Sequence, residues 1–143
     1  MEKTSVPLLV VAALAVVIAA RTATAEPQKT VRDKVYSKDQ ATRGEKKYAT
    51  LCANCHDPGK APPPGKKAGP PLVGEKFLAK WDGRTLGELL TTIATTMPND
   101  GSAFLSDEES ADLVAYVLQA NGFPDGPAEL KPGANSQDVL IVK

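Results

Sequence analysis

The only two cysteines and the only histidine of the chain stand within five residues, as Cys52-Ala53-Asn54-Cys55-His56. This C-x-x-C-H spacing is the attachment pattern of c-type haem. Two thiols three positions apart at a helix end can each form a thioether to one porphyrin vinyl group. The next residue, His56, is then held beneath the iron as proximal ligand. Two other chemistries use such a cluster. A C-x-x-C redox pair expects a βαβ setting, and no strand pair is legible here. A zinc site wants four protein ligands, and a carboxylate would have to join Cys52, Cys55 and His56.

Subtraction narrows the haem reading. A lone histidine excludes bis-histidine ligation within the chain. The two methionines are Met1 and Met97, so a thioether sixth ligand comes from Met97. His/Met ligation raises the reduction potential and suits electron transfer. Met97 also reads as a gap-filling core residue. It continues an apolar stripe of Leu86, Leu89, Leu90 and Ile93 at helical spacing. Pro98 ends that helix at or before it. Aromatics make up only 5% of the chain, a thin supply of large core residues, so something else is expected to fill the centre.

The first 25 residues read as a secretory signal peptide. Lys3 gives a positive start, Val6 to Ala20 is apolar but for Pro7, and Ala23-Thr24-Ala25 is an A-x-A cleavage site. The apolar run is shorter than the roughly 20 residues of a spanning helix, so no membrane span is expected after cleavage. The mature chain is expected in the periplasm, an oxidising compartment. The whole chain carries 17 Lys+Arg and 17 Asp+Glu, and this balance argues against a nucleic-acid partner. Residues 29–84 hold thirteen basic and six acidic side chains, whereas residues 85–143 hold two and nine. Either the fold keeps these halves apart as a dipole or the charges are simply solvated surface.

Length allows one domain. Residues 26–38 are a polar, extended lead-in. A first helix is expected over 39–52, with Ala41, Gly44, Tyr48 and Leu51 recurring at helical spacing. Gly44 inside it predicts the close approach of another helix. Six of the 14 residues from Pro58 to Pro71 are proline, which excludes regular structure. So long a loop makes sense if it wraps a large bound group. A second helix is expected over 85–95, opened by a Thr85/Glu88 capping box, and a last one over 107–121, opened by Ser106/Glu109. The tail, 122–143, is rich in Gly and Pro and ends in an apolar run. Docking on a partner, packing on its own domain and fraying are all open to it.

Over residues 39–121 the chain resembles the class I monohaem cytochromes c. Cys52, Cys55 and His56 match that family's haem motif, Gly69-Pro70-Pro71-Leu72 its Gly-Pro segment, and Met97-Pro98 its distal segment. Gly44, Tyr48 and Tyr116 look like its crossing of first and last helices. The resemblance implies an all-α cytochrome c fold, with about three main helices and long loops around one haem c. It implies His56 and Met97 as iron ligands, and a Pro70 carbonyl that accepts the His56 ring N–H. Trp81 resembles the tryptophan that packs by the haem and donates to a propionate, and ordinary core packing accounts for it equally well. Arg84 has the same two readings, propionate partner or exposed surface.

The activity implied is electron carriage, not enzymatic turnover: the iron cycles Fe(III)/Fe(II) between protein partners. Lys60, Lys66, Lys67 and Lys76 are the candidate ring around an exposed haem edge. The segment Leu105–Leu130 is similar to small haem domains that accompany quinoprotein dehydrogenases. That likeness implies such a dehydrogenase as donor, a terminal oxidase as acceptor, and a monomer between them. A cytochrome subunit held in a dehydrogenase complex is the second reading. A haem enzyme or gas sensor is the third, and Met97 and the lack of a distal histidine argue against it.

Overall fold

The computed structural model describes residues 27–143, so the signal-peptide reading of residues 1–25 lies outside the described residues. Six helical segments follow in order: α1 (Lys38–Leu51), α2 (Ala53–His56), α3 (Glu75–Trp81), α4 (Leu86–Thr96), α5 (Asp107–Ala120) and α6 (Ala134–Gln137). Among the described residues there are isolated β-bridges and no strands. The architecture is all-α. No helix among the described residues is long and apolar enough to cross a membrane.

Local chemistry sets the helix starts. Ser37 accepts the Gln40 N–H at the head of α1. Thr85 and Glu88 exchange both bonds of a capping box at α4, and Ser106 and Glu109 do the same at α5. Each box satisfies two backbone donors that a helix start leaves free. Asp107, Glu108 and Glu109 also place negative charge at the positive end of α5. These three helices begin and end within two residues of their expected bounds.

The crossing of α1 and α5 rests on Gly44. A Cβ there would lie 1.8 Å from the Asp112 carbonyl oxygen and 3.0 Å from the Tyr116 Cβ. Only glycine lets the two backbones come this close. One turn on, the Tyr48 and Tyr116 rings meet at a centroid distance of 5.0 Å. Arg43 grips Asp112 through two hydrogen bonds of 3.0 and 2.8 Å and reaches Glu129 at 2.8 Å.

The flanking segments belong to the core. Val31 and Tyr36 are fully buried, and so is Ile141; Leu130 and Val139 are buried too. The Tyr36 hydroxyl donates to the Phe123 carbonyl at 2.6 Å. Buried Gln40 donates to the Leu130 carbonyl and accepts its N–H, at 2.9 and 2.8 Å. A polar lead-in with two apolar anchors carries too little periodicity to announce this role.

Replacing Gly44 with alanine is expected to destabilise the protein by about 3 kcal/mol, the upper range for overpacking. Urea denaturation of the two proteins measures it, and coincident curves would contradict the close crossing.

Candidate functional site

α1 hands over directly to the cysteine motif. The Cys52 N–H bonds to the Tyr48 carbonyl at 2.9 Å, and the Cys55 and His56 N–H groups both return to the Cys52 carbonyl, at 3.1 and 2.9 Å. The single turn of α2 therefore puts residues three apart on one side. Both thiols are free and partly buried. Burial first, and Cys55 second, push the Cys52 thiol up to about 11. A reactive redox cysteine needs the opposite shift, so Cys52 is poised as a neutral thiol.

The proline-rich loop then folds back on His56. The Gly69 N–H bonds to the Cys55 carbonyl at 2.8 Å. The His56 Nδ1 lies 2.7 Å from the Pro70 carbonyl oxygen. A carbonyl only accepts, so Nδ1 carries the proton and Nε2 keeps its lone pair free for a metal. Gly69 lies against the ring itself: a Cβ there would sit 2.6 Å from Cε1 and 2.7 Å from Nδ1. The glycine and the carbonyl together hold the imidazole plane.

Met97 leaves the end of α4. Its N–H still bonds to the Ile93 carbonyl at 3.2 Å, but its backbone has turned to φ −124°, ψ 144°. His56, Leu72, Ile93, Met97 and Val117 line two adjoining recesses, which are lobes of one cleft. The first lobe is completed by Tyr48, Leu51, both cysteines, Pro98, Asn99, Asp100, Leu105 and Leu113. The second is completed by Pro70, Phe77, Trp81, Leu89, Lys76 and Lys80. Most of these walls are apolar. The cleft thus presents two thiols, an oriented imidazole, a thioether and room for a flat apolar body. That donor set fits a covalently held haem.

Trp81 is buried in the wall of the second lobe. The Arg84 guanidinium stacks 4.3 Å above its ring and pairs with Glu88 at 3.2 Å. Lys66 reaches Asp100 at 3.7 Å, joining the proline-rich loop to the loop after Met97. Lys60 and Lys67 are exposed on the proline-rich loop, while Lys76 sits at the second lobe. Among the described residues no group of three or more His, Cys, Asp and Glu side chains is placed to hold a metal ion.

Two contributors lie outside the sequence reading. α3, seven residues long, is absent from the expected helices; it adds Phe77 and Lys80 to the second lobe, beside Lys76 and Trp81, both singled out above. It is too short for hydrophobic periodicity to mark it. Asn121, the last position of the expected 107–121 helix and the C-cap of α5, ties the cleft together. Its Nδ2 donates to the Leu72 and Val117 carbonyls at 3.0 and 2.7 Å, and its Oδ1 accepts the Gly74 N–H at 2.9 Å. No local pattern distinguishes such an asparagine from an ordinary cap.

The family model described as cytochrome C oxidase, cbb3-type, subunit III matches residues 39–117. No curated protein and no solved structure gives a match to the chain.

Substituting alanine at Gly69 forces a methyl group into the His56 ring. A lowered thermal midpoint is expected, corresponding to about 1–3 kcal/mol. A midpoint equal to that of the parent protein would mean the loop does not rest on the imidazole.

Proposed function

We propose that the chain, which belongs to this cbb3-type subunit III family as a class I monohaem c-type cytochrome domain, is a periplasmic electron carrier in which His56 and Met97 would hold the haem iron. The observation that carries the reading is the cleft whose two lobes share His56 and Met97 in their walls. A cytochrome c domain implies covalent haem c with iron. When bound, the haem would supply a one-electron Fe(III)/Fe(II) couple between a donor and an acceptor.

Every other contribution belongs to the chain. Cys52 and Cys55 would hold the porphyrin edge by thioethers, which would keep the cofactor on the exported chain. The Pro70 carbonyl keeps the proton on Nδ1 of His56 and makes Nε2 the better donor. Met97 would offer the iron a soft thioether, which favours the reduced state. Leu72, Ile93, Leu113 and Val117 exclude water from the ring faces. Lys76 and Lys80 give the second lobe a cationic mouth suited to propionates, and Trp81 walls it. The lysines of the proline-rich loop favour an acidic partner surface. A dehydrogenase as donor and an oxidase as acceptor fit this placement.

The description of the matched family favours a second reading, in which the domain is a resident subunit of an oxidase complex. Sedimentation of the exported protein in a membrane-free extract separates the two. A monomeric mass supports the diffusible carrier, and co-migration with a large assembly supports the subunit.

Ligation by Met97 is tested by Met97→Ala. The parent protein is expected to be low-spin and indifferent to carbon monoxide when reduced. The variant is expected to bind the gas promptly and to show a lower reduction potential. Prompt binding by the parent, or no difference between the two, would remove Met97 from the iron.

A further inference from the structure

We infer that the segment Val139–Lys143 is a strap that positions the Trp81 wall of the cleft. The inference rests on the haem reading of that cleft. On one side the strap is anchored to the lead-in: the Leu140 N–H donates to the Lys29 carbonyl and the Val31 N–H donates to the Leu140 carbonyl, both at 2.9 Å. On the other it carries the connection between α3 and α4. The Leu86 N–H donates to the Val139 carbonyl at 2.7 Å, the Gly83 N–H to the Ile141 carbonyl at 2.9 Å, and the Ile141 N–H to the Arg84 carbonyl at 2.8 Å. The Lys143 N–H donates to the Asp82 carboxylate at 2.9 Å, and its ammonium pairs with Glu75 in the first turn of α3.

These bonds bear on Trp81 more than on any other cleft residue. Trp81 is the last residue of α3, and residues 82–86, where the strap attaches, follow it immediately. A helix of seven residues does not hold itself in water, so the place of Trp81 depends on what its end is tied to. Val139 and Ile141 are buried in the common core, which makes the strap a rigid support. α4, by contrast, has its own capping box and a long apolar face. Loosening the strap therefore moves the Trp81 lobe and leaves Met97 in place. Trp81, Arg84 and the strap form a positioning unit for the second lobe, and none of them touches the iron.

The test uses the haem-loaded full chain. Trp81 is the one tryptophan, so indole emission reports on it alone, and a nearby haem quenches that emission. The variants are Ile141→Ala, Lys143→Ala and Leu130→Ala. Leu130 is the control, a buried residue whose backbone bonds go to Gln40 and not to residues 82–86. In Ile141→Ala, emission is expected to rise severalfold and the reduction potential to fall as water reaches the second lobe. Lys143→Ala is expected to move both readings the same way by less. Carbon monoxide stays excluded in both, and Leu130→Ala changes neither reading. Unchanged emission and potential in folded Ile141→Ala, or an equal change in Leu130→Ala, would overturn the strap. If Ile141→Ala does not accumulate, Lys143→Ala decides, since its side chain is half exposed. Unquenched emission in the parent protein would overturn the haem reading of the cleft and the strap with it. A quenched parent with indifferent variants overturns the strap alone.

Discussion

The cleft shared by His56 and Met97 is walled mostly by apolar side chains, and apolar surface is costly to leave against water. The rest of the molecule is arranged around that constraint. With few aromatics, the chain sets the cleft beside a largely aliphatic core. The molecule's rigid corner is the α1–α5 crossing, where Gly44 brings one backbone against the Asp112 carbonyl of the other. α1 delivers the cysteine turn from that corner, and α5 delivers Leu113 and Val117 to the cleft wall. The remaining walls come from short elements, α3 and the loops. They are held by hydrogen bonds from Asn121 and from the segment after Val139.

The site was legible in the sequence because its chemistry is local. Five consecutive residues place two thiols and an imidazole on one helical turn. The Pro70 carbonyl on the His56 ring was readable only through the family resemblance, and the contact of Gly69 with that ring only in the structure. The capping pairs at Thr85 and Ser106 mark helix starts because each is a side chain answering a backbone three residues away. Gly44 was readable for the opposite reason: a glycine that costs about 1 kcal/mol in a helix has to be explained by a neighbour.

What was not legible is the part held by distant partners. α3 has only seven residues, fewer than periodicity can mark, and its position depends on Gly83, Arg84 and Leu86 meeting Val139 and Ile141. The apolar run Val139-Leu140-Ile141-Val142 suits a docking segment and a core strand equally. Its buried residues lie against the chain's own lead-in and the α3–α4 connection, a choice made by tertiary contacts between residues far apart in the chain. Asn121 belongs to the same class. Its three bonds reach Leu72, Gly74 and Val117, and only the last is a sequence neighbour.

The central claim is that Cys52, Cys55 and His56 build a covalent haem site in a cytochrome c domain. The most direct measurement is the intact mass of the exported protein after denaturation, acid–organic extraction and treatment with a thiol-alkylating reagent. The expected result is a chain that retains the mass of one haem and takes up no alkyl group. A chain stripped of haem, with two alkylated cysteines, would contradict it.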